Sequence, residues 1–328
     1  MYNSTEVPIL SYMIRTAEVV TPRHPDKICD RISDAILDEC LKQDPDTRSA
    51  IETMGGHGII TVTGELTTKA FVDIPEVVKN VHGRNIGVQT NIVRQSPEIA
   101  QGVDIGGAGD QGIMIGYACN DNEEMVPQEY YLARKLAKRI YEDYPFDGKT
   151  QITLLEDGKV RVVASFQNTK TKVLEEICKR FFHVLDIEIE SLHCNPAGDW
   201  SLGGFDADAG LTGRKLAVDN YGPRVPLGGG AFSGKDATKV DRSAAYMARY
   251  IAVGLLKENN AKEVLVRLAY AIGYDQPLEA TAIVDGKVES IDRYDISPKE
   301  IIRLLDLKKP QFSETAKWGH MGNNFKWL

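Results

Sequence analysis

The sequence lacks both a long hydrophobic run and an excess of positive charge. No stretch approaches the ~20 consecutive apolar residues of a membrane span. The N-terminus does not show the pattern of a secretory signal, which is a basic region followed by an apolar run. Of the 328 residues, 39 are Lys or Arg and 47 are Asp or Glu, which gives a net charge of −8. We therefore expect a cytoplasmic protein whose main partner is neither nucleic acid nor a membrane.

Cysteine is also scarce. The five cysteines are odd in number and form no C-x-x-C motif; they are Cys29, Cys40, Cys119, Cys178 and Cys194. Reduced thiols in a cytosolic protein are the simplest interpretation. Three of them fall within apolar patterns that are typical of a protein core.

The most informative stretch is the glycine-rich segment at 228–246, GGGAFSGKDATKVDRSAAY. Three consecutive glycines allow the backbone to approach an anion closely, and apolar residues recur at helical spacing from Lys239 onward. A helix N-terminus favours phosphate, Lys235 and Lys239 add positive charge, and Asp241 could hold Mg²⁺. The alternative is an ordinary glycine turn, which the charges that follow disfavour. We predict polyphosphate binding.

A Walker-type P-loop is excluded by two details of this segment. Asp236 stands where a P-loop has its metal-binding Ser or Thr. The preceding predicted strand, at 215–221, is separated from the glycines by Gly-Pro-Arg-Val-Pro-Leu, whereas a P-loop follows its strand directly.

The order of predicted elements indicates three repeats. The predicted strands are 16–20, 49–54, 59–66, 87–93, 112–119, 151–155, 159–166, 187–194, 215–221, 263–272 and 279–284. The predicted helices are 26–41, 74–81, 127–144, 172–185, 239–257 and 298–307. The order β-α-β-β-α-β starts near 16, 112 and 215, although the third copy lacks a clear final strand.

A period of about 100 residues favours three copies of one unit over a solenoid. We predict an α+β protein of three pseudo-symmetric domains with sheets packed inward and helices outward. The predicted domains lie at approximately 12–103, 104–206 and 207–328, with the glycine-rich loop in the third, and strands can be exchanged between the repeats. The alternative is that helices and hairpins alternate here by chance.

Three shorter clusters combine glycine or proline with charge. They are His-Pro-Asp-Lys at 24–27, the glycine run at 106–112, and Asp-Ala-Gly-Leu-Thr-Gly-Arg-Lys at 208–215. Asp-Gly-Lys at 147–149 adds another acid and base. Each cluster alone could be an ordinary turn without a function. A His-Asp-Lys cluster at a helix start is less typical of such a turn, because a carboxylate there can cap the helix or bind a metal.

Taken in order, these motifs resemble those of the methionine adenosyltransferase (S-adenosylmethionine synthetase) family. The matching stretches are HPDK at 24–27, DRIS at 30–33, GELTT at 64–68, QSPEIAQGVD at 95–104, GAGDQG at 107–112, GLTGRK at 210–215, GGGAFSGKD at 228–236, YAIG at 270–273 and ETAKWGHMG at 314–322. The resemblance covers essentially the whole chain, and GGGAFSGKD and GAGDQG are highly specific. It implies three α+β domains with pseudo-threefold symmetry, in agreement with the repeats.

The resemblance implies that the adenosyl group of ATP is transferred to methionine. The methionine sulfur attacks C5′, triphosphate leaves, and the triphosphate is then hydrolysed to pyrophosphate and phosphate. The implied catalytic residues are His24, Lys149, Arg214, Lys235 and Lys239. The implied ATP-binding residues are the same five with Asp147, Trp200, Asp208 and Lys215. The implied methionine-binding residues are Glu65, Gln95, Asp110 and Ile272.

The resemblance also implies ions and an assembly. Asp26 and Asp241 would bind two Mg²⁺ ions, and Glu52 corresponds to the family's K⁺ ligand. The family's active sites lie between the subunits of a homodimer, and a dimer of dimers is a further option.

The chain departs from the family pattern at several points. Arg23 stands in place of a glycine and Pro22 in place of a glutamate. Leu227 replaces a histidine before the glycine triplet, and Asp-Trp at 199–200 replaces Arg-Phe. The short segment between 95 and 109 implies a reduced lid over the active site. These departures bear on substrate discrimination and closure.

The sequence also bears on two other functions. An ATPase or kinase would need a base for water or a hydroxyl and would leave Glu65 and Gln95 without a role. A non-catalytic regulatory subunit would be supported by degenerate phosphate residues, but His24, Lys235 and Asp241 are present.

Overall fold

The structure, a computed structural model, describes residues 14–95, 107–323 and 325–328. The strands in this part of the chain are β1 (Arg15–Val20), β2 (Arg48–Gly56), β3 (Ile59–Thr67), β4 (Gly87–Val93), β5 (Gly112–Cys119), β6 (Gly148–Leu154), β7 (Val160–Phe166), β8 (Ile189–Cys194), β9 (Gly210–Leu211), β10 (Glu263–Tyr270), β11 (Glu279–Val284) and β12 (Lys287–Glu289). The helices are α1 (Pro25–Leu41), α2 (Ile74–His82), α3 (Gln128–Asp143), α4 (Thr171–Val184), α5 (Leu216–Asp219), α6 (Val240–Asn259), α7 (Pro298–Leu304) and α8 (Phe312–Thr315).

Within the described residues the strands form three four-stranded sheets. Sheet I has the order β4-β3-β2-β9, sheet II β1-β6-β7-β8, and sheet III β12-β11-β10-β5. Each sheet takes three strands from one stretch of the chain and its fourth from another. β9 joins sheet I, β1 joins sheet II and β5 joins sheet III, so one strand is exchanged in a cycle. The predicted α+β class with three repeats is confirmed.

The exchange means that a repeat in sequence is not a sheet in space. β1 lies in the predicted domain 12–103 but pairs with β6, for example Ala17 with Ile152. β5 lies in 104–206 but pairs with β10. The predicted domain boundaries therefore stay a prediction about the sequence.

The third repeat contains the one predicted strand that is wrong. Within the segment predicted as a strand at 215–221, residues 216–219 form the short helix α5, and Asp219 N–H donates to O of the N-cap residue Lys215 at 2.8 Å. The strand that begins this repeat is β9, which pairs with β2 through Leu211 and Met54. The short apolar run Leu-Ala-Val at 216–218 cannot distinguish helix from strand by itself.

The end of the third repeat also differs from the first two. In those, the final strands β4 and β8 run parallel to their neighbours after a helix. Here β12 follows β11 directly and pairs with it antiparallel, and α7 comes afterwards. The final strand missing from the sequence prediction is thus a short hairpin arm.

The helices differ in how much of their surface is buried. In α1, 14 of 17 residues are buried, and in α6, 15 of 20. In α4, 3 of 14 are buried. α1 packs between sheet I and α8, and α6 between sheet III and α7. The reason is that a helix flanked on opposite sides loses its solvated face.

Among the described residues, the burial patterns of sheets I and II indicate one packed and one open face. Along β2, β6 and β7, buried residues alternate with exposed or half-buried ones, as expected when one face packs and the other is open. β3 follows the same alternation over its first half. The open faces present Glu52, Glu65 and Lys149. No helix among the described residues is long and apolar enough to cross a membrane, and all five cysteines are buried and unbridged.

Candidate active site

The first group of site residues surrounds the N-terminus of α1. His24 is the N-cap, and its Nδ1 accepts a hydrogen bond from the Asp26 N–H at 3.2 Å. The Asp26 carboxylate accepts from Leu211 N–H at 3.0 Å and pairs with Lys215 Nζ at 2.5 Å. Arg214 Nε lies 3.7 Å from the same carboxylate. The motifs at 24–27 and 210–215 therefore meet, and the capping residue is His24 rather than Asp26.

Burial and charge fix the protonation state of His24. Burial, and then the positive charge of Lys215, lower the pKa of His24 to about 4. The imidazole is therefore neutral at neutral pH. Because Nδ1 accepts from the backbone, the ring proton resides on Nε2. This leaves Nε2–H available to donate a hydrogen bond.

Asp147, Lys149 and Asp208 lie around the same histidine. The charges of Lys149 and Asp208 both act on the pKa of His24. The Asp147 carboxylate accepts from Gly204 N–H at 2.9 Å, and burial raises its pKa. Three segments far apart in sequence thus converge at the start of α1.

Trp200 is one of the predicted ATP-binding residues, and Asp199 precedes it. The Trp200 side chain is half-buried, and its indole nitrogen has no hydrogen-bond partner among the described residues. Asp199 accepts from both the backbone N–H and the hydroxyl of Thr171 at 2.8 Å, at the first turn of α4. Asp199 therefore supports that helix, while Trp200 has an unused donor.

The second group is built by the glycine-rich segment and the start of α6. Asp241, in the first turn of α6, accepts from Gly230 N–H at 3.0 Å and pairs with Lys235 Nζ at 2.6 Å. A Cβ added at Gly229 would lie 2.4 Å from Asp241 Oδ1, and one at Gly228 would lie 2.5 Å from Ile113 O. Glycine is therefore required for this loop to pack over Asp241 and β5.

Lys239 belongs to the same loop but has its own partner. It is the N-cap residue of α6, and its Nζ lies 2.6 Å from Asp236 Oδ1. Asp236 also accepts from Ser49 N–H at 2.8 Å, at the start of β2. The residue that disagrees with a P-loop thus holds Lys239 and anchors the loop to sheet I.

Glu52 and Glu65 share the open face of sheet I. In the β2–β3 register Glu52 pairs with Thr63, and Glu65 pairs with Ala50. Residues two apart on a strand point to the same face, so the two carboxylates lie diagonally across it. Burial raises the pKa of Glu52, and the charge of Lys235 opposes that rise. The second group therefore extends from Asp241 through Lys235 onto this face.

Gln95, Asp110 and Ile272 complete the predicted methionine side. Gln95, just after β4, donates its N–H to Oγ1 of Thr67, the last residue of β3, at 3.0 Å. Asp110 is exposed, as is Ile272. The motifs at 107–112 and 270–273 meet through hydrogen bonds between Ala108 and Gly273 and between Ala108 and Tyr274. The short lid at 96–106 lies outside the described residues.

The two groups are separate within one chain. No hydrogen bond or ion pair found among the described residues joins them directly. Leu211, from the first group's loop, is held by Asp26, and Gly234, from the second group's loop, is held by Asp34 at 2.9 Å. Eight helical residues rise roughly 12 Å. His24 and Lys235 are therefore anchored at different levels of α1.

No group of three or more His, Cys, Asp or Glu side chains among the described residues could hold a metal ion by itself. Asp26 and Asp241 each stand alone, beside a lysine. A metal here would need ligands from a bound substrate as well.

Several residues behind the site were missed by the sequence analysis. Asp30 accepts from Gly213 N–H at 2.8 Å, and Asp34 from Gly234 N–H. Trp327 is fully buried and stacks on Tyr246 of α6 with ring centroids 3.9 Å apart. The four-residue spacing of aspartates along α1 was the available signal.

Comparison with known proteins decides the family. Models of the S-adenosylmethionine synthetase N-terminal, central and C-terminal domains match residues 12–101, 105–199 and 202–328 respectively. The chain belongs to the S-adenosylmethionine synthetase family. The predicted family and enzyme class are confirmed.

Curated relatives agree along nearly the full length. Proteins named S-adenosylmethionine synthase from Clostridium tetani, Brachyspira hyodysenteriae and Petrotoga mobilis are 42%, 40% and 41% identical to this chain. The alignments cover 94%, 95% and 96% of this chain and 93%, 94% and 96% of the relatives. They span 365, 377 and 386 positions, more than the chain's 328 residues. This S-adenosylmethionine synthetase family member therefore lacks internal segments that its relatives carry.

Arg23, which departs from the family motif, has a structural role. Its Nη1 donates to His82 O at 2.7 Å, at the C-terminal end of α2. Cations near the last carbonyls of a helix are favourable. In this S-adenosylmethionine synthetase family member the residue before His24 thus ties that loop to α2.

Proposed function

We propose that this protein transfers the adenosyl group of ATP to the sulfur of L-methionine and then hydrolyses the triphosphate to pyrophosphate and phosphate. The observation that carries the proposal is family membership together with the presence of the charged residues that the family resemblance assigns to phosphate and metal binding, such as Asp26, Lys235 and Asp241. These residues converge as two groups, one at the start of α1 and one at the glycine-rich loop. Each contains a carboxylate paired with a lysine.

The chemistry requires stabilisation of a leaving polyanion rather than a base. A thioether has no proton to lose when it attacks C5′, so a single displacement needs no general base. Negative charge develops on the departing triphosphate, and preorganised donors lower that barrier. His24 Nε2–H would donate to the departing oxygen. Lys149, Arg214, Lys215, Lys235 and Lys239 would bind the phosphates, and their charges would also favour hydrolysis.

The donor set fits Mg²⁺ and K⁺. Mg²⁺ is commonly held by one or two carboxylates together with substrate phosphates, and Asp26 and Asp241 each offer one carboxylate beside a phosphate-binding lysine. When bound, Mg²⁺ would neutralise charge on the phosphates. Glu52 would hold K⁺ on the open face of sheet I. The carboxylates of Asp26 and Asp241 would keep the lysines in place before substrate arrives.

The methionine would bind between two chains of a homodimer. Glu65, Gln95, Asp110 and Ile272 belong to the side of the glycine-rich loop, whereas His24 and Asp26 belong to the other group. A substrate that must touch both groups would be met by His24 of one protomer and Glu65 of its partner. The open faces of the sheets would be covered by that partner. We propose ATP and L-methionine as the ligands and the cytoplasm as the site of action.

An assay of the products tests the proposal against a kinase or ATPase. Purified protein is incubated with adenine-labelled ATP, Mg²⁺ and K⁺, with and without methionine, and the products are analysed by mass spectrometry. An adenosyltransferase forms a sulfonium product that requires methionine. ADP or a phosphorylated acceptor, with no sulfonium, would overturn the proposal.

Lys235→Ala should impair triphosphate hydrolysis at least as strongly as adenosyl transfer. Both steps concentrate negative charge on the same phosphates, so losing a preorganised cation should cost about 10²-fold or more. Phosphate release from added tripolyphosphate measures the hydrolytic step alone. The matched control is Lys179→Ala, because Lys179 is exposed on α4 and pairs only loosely with Glu175 at 3.9 Å. An unchanged rate of phosphate release in Lys235→Ala would remove the assignment.

The short segment at 104–109 should weaken discrimination among methionine analogues. Lid closure excludes water and commits the substrate, so a reduced lid should leave more room at the sulfur. We expect the ratio of kcat/KM for methionine to that for ethionine to be smaller than in a relative with a full lid, assayed side by side. Equal selectivity in the two enzymes would contradict this expectation.

A further inference from the structure

We propose that Asp34 and Arg242 are positioning residues that hold Lys235 in place from behind the glycine-rich loop; this inference rests on the proposed function. The two side chains form a bidentate ion pair, with Arg242 Nη1 2.6 Å from Asp34 Oδ1 and Nη2 2.9 Å from Oδ2. Both residues are 0% exposed. The pair therefore touches no substrate and can act on the site only through what it holds.

The Asp34–Arg242 pair holds the backbone on both sides of the Gly234–Lys235 dipeptide. Asp34 Oδ1 accepts from Gly234 N–H at 2.9 Å, and Arg242 Nη1 donates to Lys235 O at 2.9 Å. From the opposite side, Gly234 O accepts from Ile51 N–H at 3.0 Å. A Cβ at Gly234 would lie 1.9 Å from Ile51 O. This dipeptide is thus fixed between α1, α6 and β2.

The Asp34–Arg242 pair, called the clamp below, also controls the direction of the Lys235 side chain. Lys235 Nζ reaches Asp241, which directly precedes Arg242 on α6. A shift of Arg242 would therefore move the ammonium and its carboxylate partner together. The remaining Arg242 donors are also used, with Nε on Tyr246 Oη at 3.1 Å and Nη2 on Thr315 Oγ1 at 3.3 Å. This saturation leaves the guanidinium one arrangement.

Stability alone does not account for the aspartates of α1. Asp26, Asp30, Asp34 and Asp38 recur every four residues, and all four are buried. Like charges at this spacing destabilise a helix, and a buried ion pair is often no better than apolar packing. Yet Asp26, Asp30 and Asp34 each accept from a backbone N–H of the site segments at 210–215 and 228–236, for example Asp30 from Gly213 at 2.8 Å. The aspartates at this spacing are better explained by the segments whose positions relative to α1 they fix.

The test is a double-mutant cycle between Asp34→Asn and Lys235→Ala. Misplacing a catalytic group by about 1 Å can cost up to 10²-fold, so Asp34→Asn should lower kcat/KM for ATP by about ten- to a hundredfold. If Asp34 acts through Lys235, the same change in the Lys235→Ala background should cost less than about twofold, because interacting residues are not additive. Additive losses would overturn the proposal. A merely structural residue would give them.

Asp38→Asn is the matched control. Asp38 lies one turn further along the same helix and accepts from the backbone of Gln311, Phe312 and Ser313, away from the phosphate loops. We expect it to lower the thermal midpoint while leaving kcat/KM of the folded protein within about twofold, since distant sites add independently. A loss of kcat/KM in Asp38→Asn equal to that in Asp34→Asn would also count against the clamp.

A second variant and a binding measurement complete the test. If Asp34→Asn does not fold, Arg242→Lys keeps the charge but loses the fork, and the same cycle with Lys235→Ala applies. Inorganic tripolyphosphate binding, measured by calorimetry on each folded variant, reports on the clamp without the synthetic reaction. A wild-type protein that binds tripolyphosphate but makes no sulfonium would overturn the proposed function and leave the clamp standing. Unchanged tripolyphosphate affinity in the clamp variants would overturn the clamp.

Discussion

Replacing His24 with alanine should slow formation of the sulfonium product by about 10²–10³-fold while leaving ATP binding largely intact. The reason is that a hydrogen bond to the leaving oxygen strengthens as charge develops on it. Burial and Lys215 keep this ring neutral, with a pKa of about 4 and its proton on Nε2. The donor is therefore present before the substrate arrives, and its loss should appear in the chemical step.

Single-turnover kinetics with enzyme in excess measure that step directly, and calorimetry gives the affinity for ATP. The matched control is His183→Ala, because His183 is exposed in the last turn of α4. Because His24 also caps α1, the variant should lose about 0.5–2 kcal/mol of stability, so rates are compared well below its thermal midpoint. A single-turnover rate near that of the wild type would remove His24 from the leaving-group role.

Much of the fold could be predicted because local patterns agree with tertiary packing. β4, β5 and β11 were predicted at the bounds that the structure shows, 87–93, 112–119 and 279–284. Two of these strands begin at a glycine, which marks the boundary. The error at 215–221 arose where the apolar run is short, since four helical residues bury Val218 as well as a strand would.

The sequence could not predict which sheet each strand joins. β1, β5 and β9 each pair with strands of another repeat, and no local signal reports such a partner. The deep burial of α1 and α6 could not be predicted for a related reason. Their apolar stripes predict one packed face, whereas burial of charged residues such as Arg242 depends on ion partners far along the chain.

In the candidate site, too, residue types could be predicted from the sequence, whereas their contacts could not. Residue types and spacing were enough to nominate His24, Lys235 and Asp241, because phosphate and metal chemistry constrain them. The support behind them was not predictable, because the Asp34 carboxylate meets Gly234, 200 residues away in sequence. That Lys215 and Lys235 belong to separate groups also emerged only from their different partners, Asp26 and Asp241.

His24→Ala and Glu65→Ala, each nearly inactive alone, should restore activity when combined in one dimer. His24 lies at the start of α1, and Glu65 lies on the open face of sheet I. If each active site takes His24 from one protomer and Glu65 from its partner, a mixed dimer has one doubly damaged site and one intact site. Random pairing makes about half of the dimers mixed, so activity should return to about a quarter of wild type, as the two-fold symmetry of an isologous dimer requires.

The unfractionated co-expressed protein is assayed first for the sulfonium product. Two affinity tags then isolate the mixed dimers, which should show about half of the wild-type activity because one of their two sites is intact. The matched control pairs His24→Ala with Lys215→Ala. Both residues contact Asp26 of the same chain, so every site of that mixed dimer carries one lesion and activity should not return. Recovery in both combinations would point to exchange or contamination. Verified mixed dimers of His24→Ala and Glu65→Ala with no activity above their parents would show that one chain supplies both residues, and the shared site would be wrong.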